Sequence, residues 1–405
     1  MNDESISNVQ AVIEEYEGYL NLTANENSMS LTAKKYLSTV ISDRYYFEGD
    51  NEGYSDFPEF VASGNHAFDT LINETKQTLN ELFKAEYTNL NPLSGIHAML
   101  IVLLSYTQSG DAVASLSPQA HGHFSTATVI ERIGRKSVLL PVNEDGDIDT
   151  NALAEFIDSH DPKMIYIDAM SYQHAFDIQS IRDIVGKQMI IVFDASHTLG
   201  LIAGGVFPNP FDYGADIICG NTHKTFPGPH RGVVLAKNQD LGLVLDEKGS
   251  NLYSTVQGGT LASLAVTVSE MKVYIHEYAS SIVKNAQSLQ TYLVREGLIP
   301  AYIPLTNNHQ VHILKPNRTA AVEFLKKLKT QGILAHMCYG YTEGFYVRVG
   351  TQEITRRGMS EPEMEKIAVL LRRVNDGEEC KSEVVELNKW FNTIHYSFDR
   401  ESDLV

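Results

Sequence analysis

The spacing of apolar residues changes along this chain, and the changes outline its elements. Six short apolar runs predict buried strands: "AVASL", "SVLLPV", "MIYID", "MIIVFD", "DIICG" and "GVVLA". Segments with helical spacing, such as Thr150–Ser159 and Ile178–Val185, lie between some of these runs. Strands that alternate with helices are typical of βαβ units and of a mostly parallel sheet. The sequence therefore predicts an α/β fold, in which ligands gather at the carboxyl ends of the strands.

The segments around this core predict a division into three regions. Helical spacing is clear over Asn8–Tyr19, over Phe68–Phe83 and in "GIHAMLIVLLSYTQSG". After residue 250 a long helix is predicted over Leu261–Glu296. A smaller αβ region follows it, with strands near "QVHIL" and "FYVRVG" and helices over Thr319–Gln331 and Glu361–Asn375. We predict an N-terminal helical arm over 1–20, a large α/β domain over 21–260 and a small C-terminal domain over 261–405.

Composition narrows the possible function classes. Hydrophobic residues make up 43% of the 405 residues and charged residues 20%, which is typical of soluble globular proteins. The formal net charge of −19 speaks against binding to nucleic acid or to anionic membranes. The cysteines, Cys219, Cys338 and Cys380, are too sparse for a disulfide framework or a structural zinc site, and no metal site is predicted. The polar N-terminus "MNDESISNVQ" and the lack of long apolar stretches predict a cytoplasmic protein.

Two charged residues lie at the ends of predicted apolar strands and suggest a catalytic site. Asp194 ends "MIIVFD", and Lys224 comes just after "DIICG", 30 residues later. Each has an ordinary explanation, because Asp often caps a helix and lysine is common in exposed loops. Together they form the pair that pyridoxal 5′-phosphate requires: a lysine for a Schiff base and an acid for the pyridine nitrogen. We therefore predict a pyridoxal-phosphate site where these two strands end.

A longer pattern around this pair resembles a known family. The segment "DASHTLGLIAGGVFPNPFDYGADIICGNTHKTFPGPHRG" is similar to the serine hydroxymethyltransferase family of fold-type I pyridoxal-phosphate enzymes. Further blocks occur in the family's order: "LTANEN", "RYYFEG", "NPLSGIHA", "AHGHFST", "DAMSYQ", "VQGGT" and "VRVGTQEITRRG". The similarity extends roughly from Asn21 to Gly358. It implies the fold-type I architecture, with a large domain built on a mostly parallel sheet and a smaller C-terminal α/β domain.

The resemblance implies which residues would hold the cofactor. Lys224 resembles the Schiff-base lysine, and Asp194 resembles the partner of the pyridine nitrogen. His123 resembles the ring that stacks on the pyridine, with His121 as the alternative, and His197 resembles the histidine near the phenolic oxygen. The other cofactor-binding residues that the resemblance implies are Ser94, Gly95, Ser171, Thr222, His223, Gly258 and Gly259, the last two in a turn donated by the other subunit of a homodimer.

The resemblance also implies residues that would contact the substrate. Arg348 resembles the arginine that clamps the substrate α-carboxylate, a task that suits a bidentate guanidinium. Asn25 stands where the family has a serine near that carboxylate. Tyr46 and Glu48 resemble a Tyr-x-Glu pair that lies over the substrate hydroxyl and works in proton transfer. Catalytic roles are thus implied for Lys224, Asp194, His123, Glu48 and Tyr46.

The chain departs from the family mainly in the parts that face folate. The family's Ser-Gly-Ser phosphate turn reads "SGIH", so Ile96 replaces a hydroxyl ligand. The stretch after the Tyr-x-Glu pair reads "DNEGYSD", and the asparagine-bearing loop before the arginine strand is replaced in "LAHMCYGYTEGFYVRVG". The residues that hold the cofactor are kept while those that face the pterin are not. This pattern implies carbanion chemistry without tetrahydrofolate as the one-carbon acceptor.

These observations lead to an expected activity and to several alternatives. We expect a pyridoxal-phosphate enzyme that acts on an α-amino acid, with folate-independent aldol-type cleavage or formation of the Cα–Cβ bond, like a threonine aldolase or transaldolase. An aldehyde is then a possible second substrate. One alternative is a serine hydroxymethyltransferase that uses a one-carbon carrier. Another is a natural-product enzyme that decarboxylates, deaminates or cyclises an amino acid. A third, from another class, is a non-catalytic relative that acts as a binding dimer.

Overall fold

The computed structural model describes residues 4–44, 46, 66–253, 255–300, 304–339 and 344–399. The strands are β1 (Leu20–Asn21), β2 (Tyr87–Asn89), β3 (Ala112–Ser115), β4 (Lys136–Leu139), β5 (Pro162–Asp168), β6 (Ile190–Asp194), β7 (Ile217–Asn221), β8 (Gly232–Ala236), β9 (Gln310–Lys315), β10 (Ile333–Leu334), β11 (His336–Tyr339) and β12 (Phe345–Gly350).

The α-helices are α1 (Glu4–Glu17), α2 (Leu31–Lys35), α3 (His66–Phe83), α4 (Gly95–Tyr106), α5 (Thr126–Arg132), α6 (Thr150–His160), α7 (Ile178–Val185), α8 (Leu199–Ala203), α9 (Gln239–Gly249), α10 (Gly258–Arg295), α11 (Arg318–Thr330), α12 (Gln352–Arg356), α13 (Glu361–Asp376) and α14 (Lys381–Trp390). Within the described parts of the chain, none of these helices is long and apolar enough to cross a membrane.

Contacts along the chain separate two compact units. The larger unit comprises Asn27–Ser280 and Tyr396–Val405, and the smaller unit comprises Met1–Glu26 and Ser281–His395. The boundary at residue 280 falls inside α10, so one continuous helix contributes to both units. The partition predicted from the sequence, with boundaries after residues 20 and 260, concerns folding domains and stays a prediction.

The larger unit is built on a seven-stranded sheet with the strand order β2-β8-β7-β6-β5-β3-β4. The strands from β7 to β4 pair in parallel, and β8 runs antiparallel to both β7 and β2. The predicted α/β fold with a mostly parallel sheet is therefore confirmed. The central strands β5, β6 and β7 are almost entirely buried, as expected for parallel strands covered on both faces.

One face of this sheet packs against α4. Residues Met99 and Val102 of that helix share a buried apolar cluster with Met164 of β5, Val192 of β6 and Ile217 of β7. The sequence of α4 is apolar almost all round, which is typical of a helix buried on several sides. This packing holds the N-terminus of α4 near the sheet edge where the strands end.

The smaller unit has its own sheet and core. Strands β11, β12 and β9 form an antiparallel sheet in that order, and β1 pairs in parallel with β10. In this sheet Arg348 of β12 is the register partner of His336 in β11 and of His312 in β9. The buried core includes Leu20, Leu289, Val347, Ile367 and Leu371, from β1, α10, β12 and α13. The smaller unit thus buries an apolar core of its own.

The helices and strands predicted from the sequence are present, with ends displaced by a few residues at most. Several elements were not predicted, notably β2, α5, α9 and α14. Strand β2 has three residues, "YTN", and lies at the sheet edge, so it carries almost no periodic signal. Helix α9 begins at an Asn238 side-chain cap, a start signal that its polar sequence obscured.

Candidate active site

Three neighbouring strands of the large sheet end in polar residues. Asp168 ends β5, Asp194 ends β6 and Asn221 ends β7. Asp168 is the register partner of Asp194, and Asp194 is the register partner of Cys219. Because β5, β6 and β7 run parallel, their carboxyl ends meet at one edge, where open α/β sheets bind ligands.

A pocket lies at this edge, and the space between its walls is about 360 Å³ when the part open to solvent is included. Its walls come from the ends of β5, β6 and β7, the loop after β3 and the first turns of α4. The lining residues are Gly95, Ile96, Met99, His123, Asp168, Met170, Asp194, Ser196, His197, Asn221 and Lys224. A concave site with several converging polar groups suits a small-molecule cofactor.

Lys224 is buried in this pocket, with only 9% of its surface exposed. Its Nζ lies 3.2 Å from His197 Nε2, so the amine donates to an imidazole nitrogen that accepts. Its carbonyl oxygen accepts a hydrogen bond from the Asn27 side-chain amide. An ordinary loop lysine keeps its amine in water. The burial therefore argues against that interpretation and favours a chemical role for Nζ.

The turn after β7 aims Lys224 into the pocket. Thr222 closes this turn, because its hydroxyl donates to Pro229 O at 2.6 Å and its backbone N–H donates to Arg231 O at 3.0 Å. Further along, the Thr225 hydroxyl donates to His197 O at 2.9 Å. The lysine is thus held between two fixed neighbours, and the residue after it is tied to the turn after β6 that carries His197.

Asp194 is buried and accepts hydrogen bonds on both carboxylate oxygens. Oδ1 accepts the backbone N–H of Ser196 at 2.8 Å, and Oδ2 accepts the Tyr166 hydroxyl at 3.2 Å. The Cys219 thiol lies 3.8 Å from the same Oδ2. The bond to Ser196 is the local turn that a capping aspartate makes, so the ordinary explanation accounts for one oxygen. The other contacts come from neighbouring strands and orient the carboxyl group at the pocket.

Asp168 is a second buried carboxyl group of the pocket, and sequence reasoning missed it. It ends the apolar run "MIYID" just as Asp194 ends "MIIVFD", so a strand-end signal was present. The Thr126 hydroxyl of α5 donates to Asp168 Oδ2. Burial, and then the negative charge of Asp194, raise the pKa of Asp168 to about 8, against opposing effects of Thr126 and Lys224.

The N-terminus of α4 meets the pocket at the predicted phosphate turn. Ser94 is the N-cap, and its hydroxyl accepts the His97 backbone N–H at 3.1 Å. The Gly95 N–H donates to Asn221 Oδ1 at 2.9 Å, and the Asn221 amide donates to Ser196 Oγ at 3.2 Å. A Cβ on Gly95 would lie 2.7 Å from the Asn221 side chain, so only glycine fits there. Sequence reasoning missed the linking roles of Asn221 and Ser196.

The two histidines that could stack on the cofactor ring, His123 and His121, have different surroundings in the structure. His123 lines the pocket, its backbone N–H donates to Asp168 O at 3.0 Å, and its ring packs on Phe124. His121 instead directs Nδ1 to the carbonyl oxygen of Ser171 at 2.6 Å, and burial lowers its pKa. Of the two, His123 is the one that lines the pocket, and its stacking role stays a prediction. In the described part of the chain, His121 and Ser171 lie outside the residues that line the pocket.

Other predicted cofactor residues lie beside the pocket rather than in it. The His223 ring stacks on His230 with centroids 3.8 Å apart, and burial is the main cause that lowers the pKa of His223 to about 3. His223 is therefore neutral at physiological pH. Among the described residues, Thr222 and His223 do not line the pocket, and Thr222 holds the lysine turn instead.

Tyr46, Gly258 and Gly259 lie elsewhere in the larger unit. The Tyr46 hydroxyl donates to Asp69 Oδ1 at 2.6 Å, and burial followed by Asp69 raises the pKa of Tyr46. Gly258 and Gly259 open α10, where an added Cβ would meet the segment around Ile41. Glu48 lies outside the described residues.

Two of the predicted substrate residues, Arg348 and Asn25, lie in the smaller unit. Arg348 of β12 is 4% exposed, and its Nη2 donates to Asn25 Oδ1 at 3.4 Å. The same oxygen accepts from His336 Nδ1 at 2.7 Å, so His336 donates from that nitrogen. Burial, and then Arg348, lower the pKa of His336, which favours its neutral form. We call these three residues the Arg348 cluster. Sequence reasoning missed His336, because its place beside Arg348 depends on the register of β11 and β12.

Comparisons with known proteins show which family this chain resembles. The chain matches the family model "Serine hydroxymethyltransferase" over residues 1–371. It is 30% identical over 413 residues to the serine hydroxymethyltransferase of Methanobrevibacter smithii, covering 96% of this chain and 95% of that protein. It is also 30% identical over 397 residues to the fluorothreonine transaldolase of Streptantibioticus cattleyicolor, covering 95% of this chain. The chain spans only 62% of the length of that transaldolase.

A solved structure is similar over almost the whole chain. The crystal structure of L-threonine transaldolase from Pseudomonas fluorescens, in its internal aldimine state, matches with a TM-score of 0.91 and 26% identity. The match covers 99% of this chain and 95% of that one. The fold class and the family resemblance predicted from the sequence are thus confirmed.

Proposed function

This chain belongs to the serine hydroxymethyltransferase family, and we propose that within it the chain is a pyridoxal-phosphate enzyme of the threonine transaldolase or aldolase type. It would make or break the Cα–Cβ bond of a β-hydroxy amino acid, with an aldehyde as the second substrate or product. The observation that carries the proposal is the buried Lys224 amine, which shares one pocket with the carboxyl group of Asp194.

The donor set of the pocket fits pyridoxal phosphate. The cofactor needs an amine for its aldehyde carbon, an acid for its ring nitrogen, a ring to stack on and backbone amides near its phosphate. Lys224, Asp194, His123 and the N-terminal turn of α4 supply groups of these kinds around a single space. Pyridoxal phosphate supplies an electron sink for the bond that breaks at the substrate Cα.

The residues of the pocket would have different roles in the reaction. Lys224 would hold the cofactor through Nζ, and its amine would be placed to move a proton at the substrate Cα. Asp194 would keep a proton at the ring nitrogen, because its carboxylate is already oriented by Ser196 and Tyr166. His197 accepts from Lys224 and is therefore positioned to influence how readily Nζ gives up a proton.

The remaining roles rest on the sequence and stay predictions. Ser94 and Gly95 would lie near the phosphate, although the Gly95 N–H already donates to Asn221. Arg348 and Asn25 would bind the substrate carboxylate, and Tyr46 and Glu48 would act near the substrate hydroxyl. The homodimer with shared sites and the cytoplasmic location are also predictions from the sequence.

The choice of aldol chemistry without folate rests on two independent lines of support. The family's folate-facing stretches are replaced in this chain by "DNEGYSD" and "HMCYGYTEGF". Several similar proteins are named as transaldolases, including an L-threonine:uridine-5'-aldehyde transaldolase of a Streptomyces species, 29% identical over 86% of this chain. Serine hydroxymethyl transfer is the second candidate, because the archaeal hydroxymethyltransferase is equally similar in sequence.

The proposal is tested by loading the purified protein with pyridoxal phosphate and supplying L-threonine with and without an aromatic or aliphatic aldehyde. We expect release of acetaldehyde, measured through a coupled dehydrogenase. We also expect a new β-hydroxy amino acid, detected by mass spectrometry, when the second aldehyde is present.

Glycine with tetrahydrofolate and formaldehyde serves as the competing assay on the same preparation. Faster turnover in that assay would replace the transaldolase proposal with hydroxymethyl transfer. Absence of any turnover or cofactor uptake would favour a non-catalytic relative. A parallel sample of Lys224→Ala controls for the reaction of free pyridoxal phosphate with amino acids.

A further inference from the structure

Two carboxyl groups end adjacent strands in the pocket, and only Asp194 has a role so far. We propose that Asp168 and Asp194 form a proton-holding pair, in which Asp168 keeps its proton and thereby leaves Asp194 as the single carboxylate of the pocket. Asp168 is in this view a positioning residue that acts through Asp194. The pairing is a property of the protein alone, whereas its consequence for the cofactor rests on the proposed function.

The geometry places both groups in one buried environment. Asp168 is 9% exposed and Asp194 is 6% exposed, and the two are register partners on parallel strands. Both line the same pocket, together with Lys224. Two carboxylates that share a buried site cannot both ionise cheaply, so one of them retains a proton.

The hydrogen-bond partners decide which of the two is ionised. Asp194 accepts a backbone N–H on one oxygen and a tyrosine hydroxyl on the other, and both bonds favour its anion. The hydrogen bond that the structure gives for the Asp168 side chain comes from Thr126, on Oδ2. Asp194 is therefore the better place for the negative charge, and Asp168 for the proton.

The groups around the pair support the same assignment. Burial and the charge of Asp194 raise the pKa of Asp168 to about 8, whereas Thr126 and Lys224 act to lower it. The other titratable groups at the strand ends are Tyr166, Cys219 and Tyr172, whose pKa values are all raised by burial. His123 and His197 are further titratable residues that line the pocket. Lys224 is a basic group of the same pocket, and its charge acts on Asp168.

A retained proton on Asp168 would matter for the proposed chemistry. When Asp168 is neutral, the carboxylate of Asp194 is the one negative charge that this pair places near the Lys224 amine. A second carboxylate would draw protons toward the pair and would hold Lys224 in its charged, non-nucleophilic form. Asp168 thus keeps Asp194 ionised for the ring nitrogen without adding a charge that stabilises the ammonium of Lys224.

The direct test is infrared difference spectroscopy of the cofactor-free protein between pH 5 and pH 9. We expect a band from a protonated carboxyl group at pH 7 that disappears as the pH rises through about 8. The band should be absent from Asp168→Asn. In Asp194→Asn it should disappear at lower pH, because the neighbouring charge is gone. Asp158→Asn removes an exposed carboxyl group of α6 and should leave the band unchanged.

A second readout is the pH dependence of unfolding of the same cofactor-free proteins. The folded pKa of Asp168 is raised above its unfolded value near 3.8, so its stabilising proton is fully present at low pH and is lost as pH rises through about 8. Between pH 5 and 7 the folding constant of the wild type should therefore fall about tenfold per pH unit relative to Asp168→Asn.

The outcomes distinguish this inference from the proposed function. A wild-type protein without a protonated-carboxyl band at pH 7, or an Asp168→Asn protein with the same unfolding profile as Asp158→Asn, would overturn the pairing. Failure of the proposed function would show instead as a protein that has the band but takes up no pyridoxal phosphate. If Asp168→Asn does not fold, the wild-type spectrum and that of Thr126→Val test the pairing instead. Loss of the Thr126 hydroxyl should raise the pKa of Asp168, so the protonated-carboxyl band should persist to higher pH than in the wild type.

Discussion

The strand-end pocket of the larger unit and the Arg348 cluster of the smaller unit are built in different ways. In the pocket, Asp194 accepts bonds of 2.8 Å and 3.2 Å from its own turn and from the neighbouring strand. In the cluster, Asn25 Oδ1 accepts from His336 at 2.7 Å and from Arg348 at 3.4 Å. The Asp194 contacts join the ends of neighbouring strands of one sheet, whereas the Asn25 contacts join residues more than 300 positions apart in the chain.

This difference matches how the two regions relate to the family pattern. The pocket contains the Asp194 and Lys224 positions that resemble the family, and the cluster contains Asn25, where the family has a serine. A rigidly held pocket suits chemistry that is shared among relatives, because catalytic groups must be placed within fractions of an ångström. A cluster with altered members suits a changed substrate.

The largest effect on cofactor binding and turnover is expected from replacing the lysine of the pocket. Lys224→Ala should abolish the visible absorbance of bound pyridoxal phosphate and its capture by borohydride. It should also lower turnover on the order of 10²–10⁴-fold through the lost acid–base group alone. Lys187→Ala, at an exposed loop position, is the matched control and should keep both signals. A pyridoxyl group found on another lysine of Lys224→Ala would show that the assignment is wrong.

A smaller effect is expected for the arginine of the cluster. Arg348→Lys keeps a positive charge but loses the planar fork that grips a carboxylate. Hydrogen bonds to charged groups contribute about 1.5–3 kcal/mol, so kcat/KM for the amino acid should fall roughly 10- to 100-fold. The cofactor absorbance should be unchanged, and steady-state kinetics with spectra on the same sample measure both. A parallel loss of cofactor would contradict the division between the two regions.

Much of the pocket could be predicted from the sequence because its geometry is local. Apolar runs that end in Asp194 and precede Lys224 place both residues at one sheet edge once the strands are parallel. Asp168 carried the same signal but was not recognised, because the resemblance drew attention to other residues of "DAMSYQ". The effect of Asp168 on its neighbour also depends on burial, which a strand pattern does not measure.

The cluster was less predictable because it depends on long-range pairing. His336 reaches Asn25 through the register of β11 against β12, and a shift of one residue would turn its side chain to the other face. The role of Asn221 was not predicted either. Its contact with Gly95 joins residues 126 positions apart in the chain. Such contacts follow from the packing of α4 on the sheet and leave no trace in local spacing.

Two asparagines, one in each region, allow a matched comparison. Asn221→Ala leaves the buried Gly95 N–H without its partner, which costs about 1–3 kcal/mol, so the affinity for pyridoxal phosphate should fall roughly 5- to 150-fold. Asn25→Ala should leave that affinity unchanged and should raise KM for the amino acid by about fivefold, as expected for one hydrogen bond of about 1 kcal/mol. Fluorescence titration with the cofactor and steady-state kinetics measure the two effects. Equal losses of cofactor affinity in both variants would show that the pocket and the Arg348 cluster do not have separate roles.

The smallest expected effect is that of tetrahydrofolate, which should neither bind nor accelerate turnover. A pterin is a flat, polar ring, and each of its polar edges left unpaired in a buried site costs on the order of 1–3 kcal/mol. The stretch that replaces the family's tail-binding segment adds Asp50, Glu52 and Asp56, which lie outside the described residues and would repel the glutamate tail. The net charge of −19 opposes the approach of that anion as well. Calorimetry of the cofactor-loaded protein with glycine and a reduced folate is the measurement. Micromolar binding, or a spectral change with glycine that folate strongly enhances, would place this chain with the hydroxymethyltransferases instead.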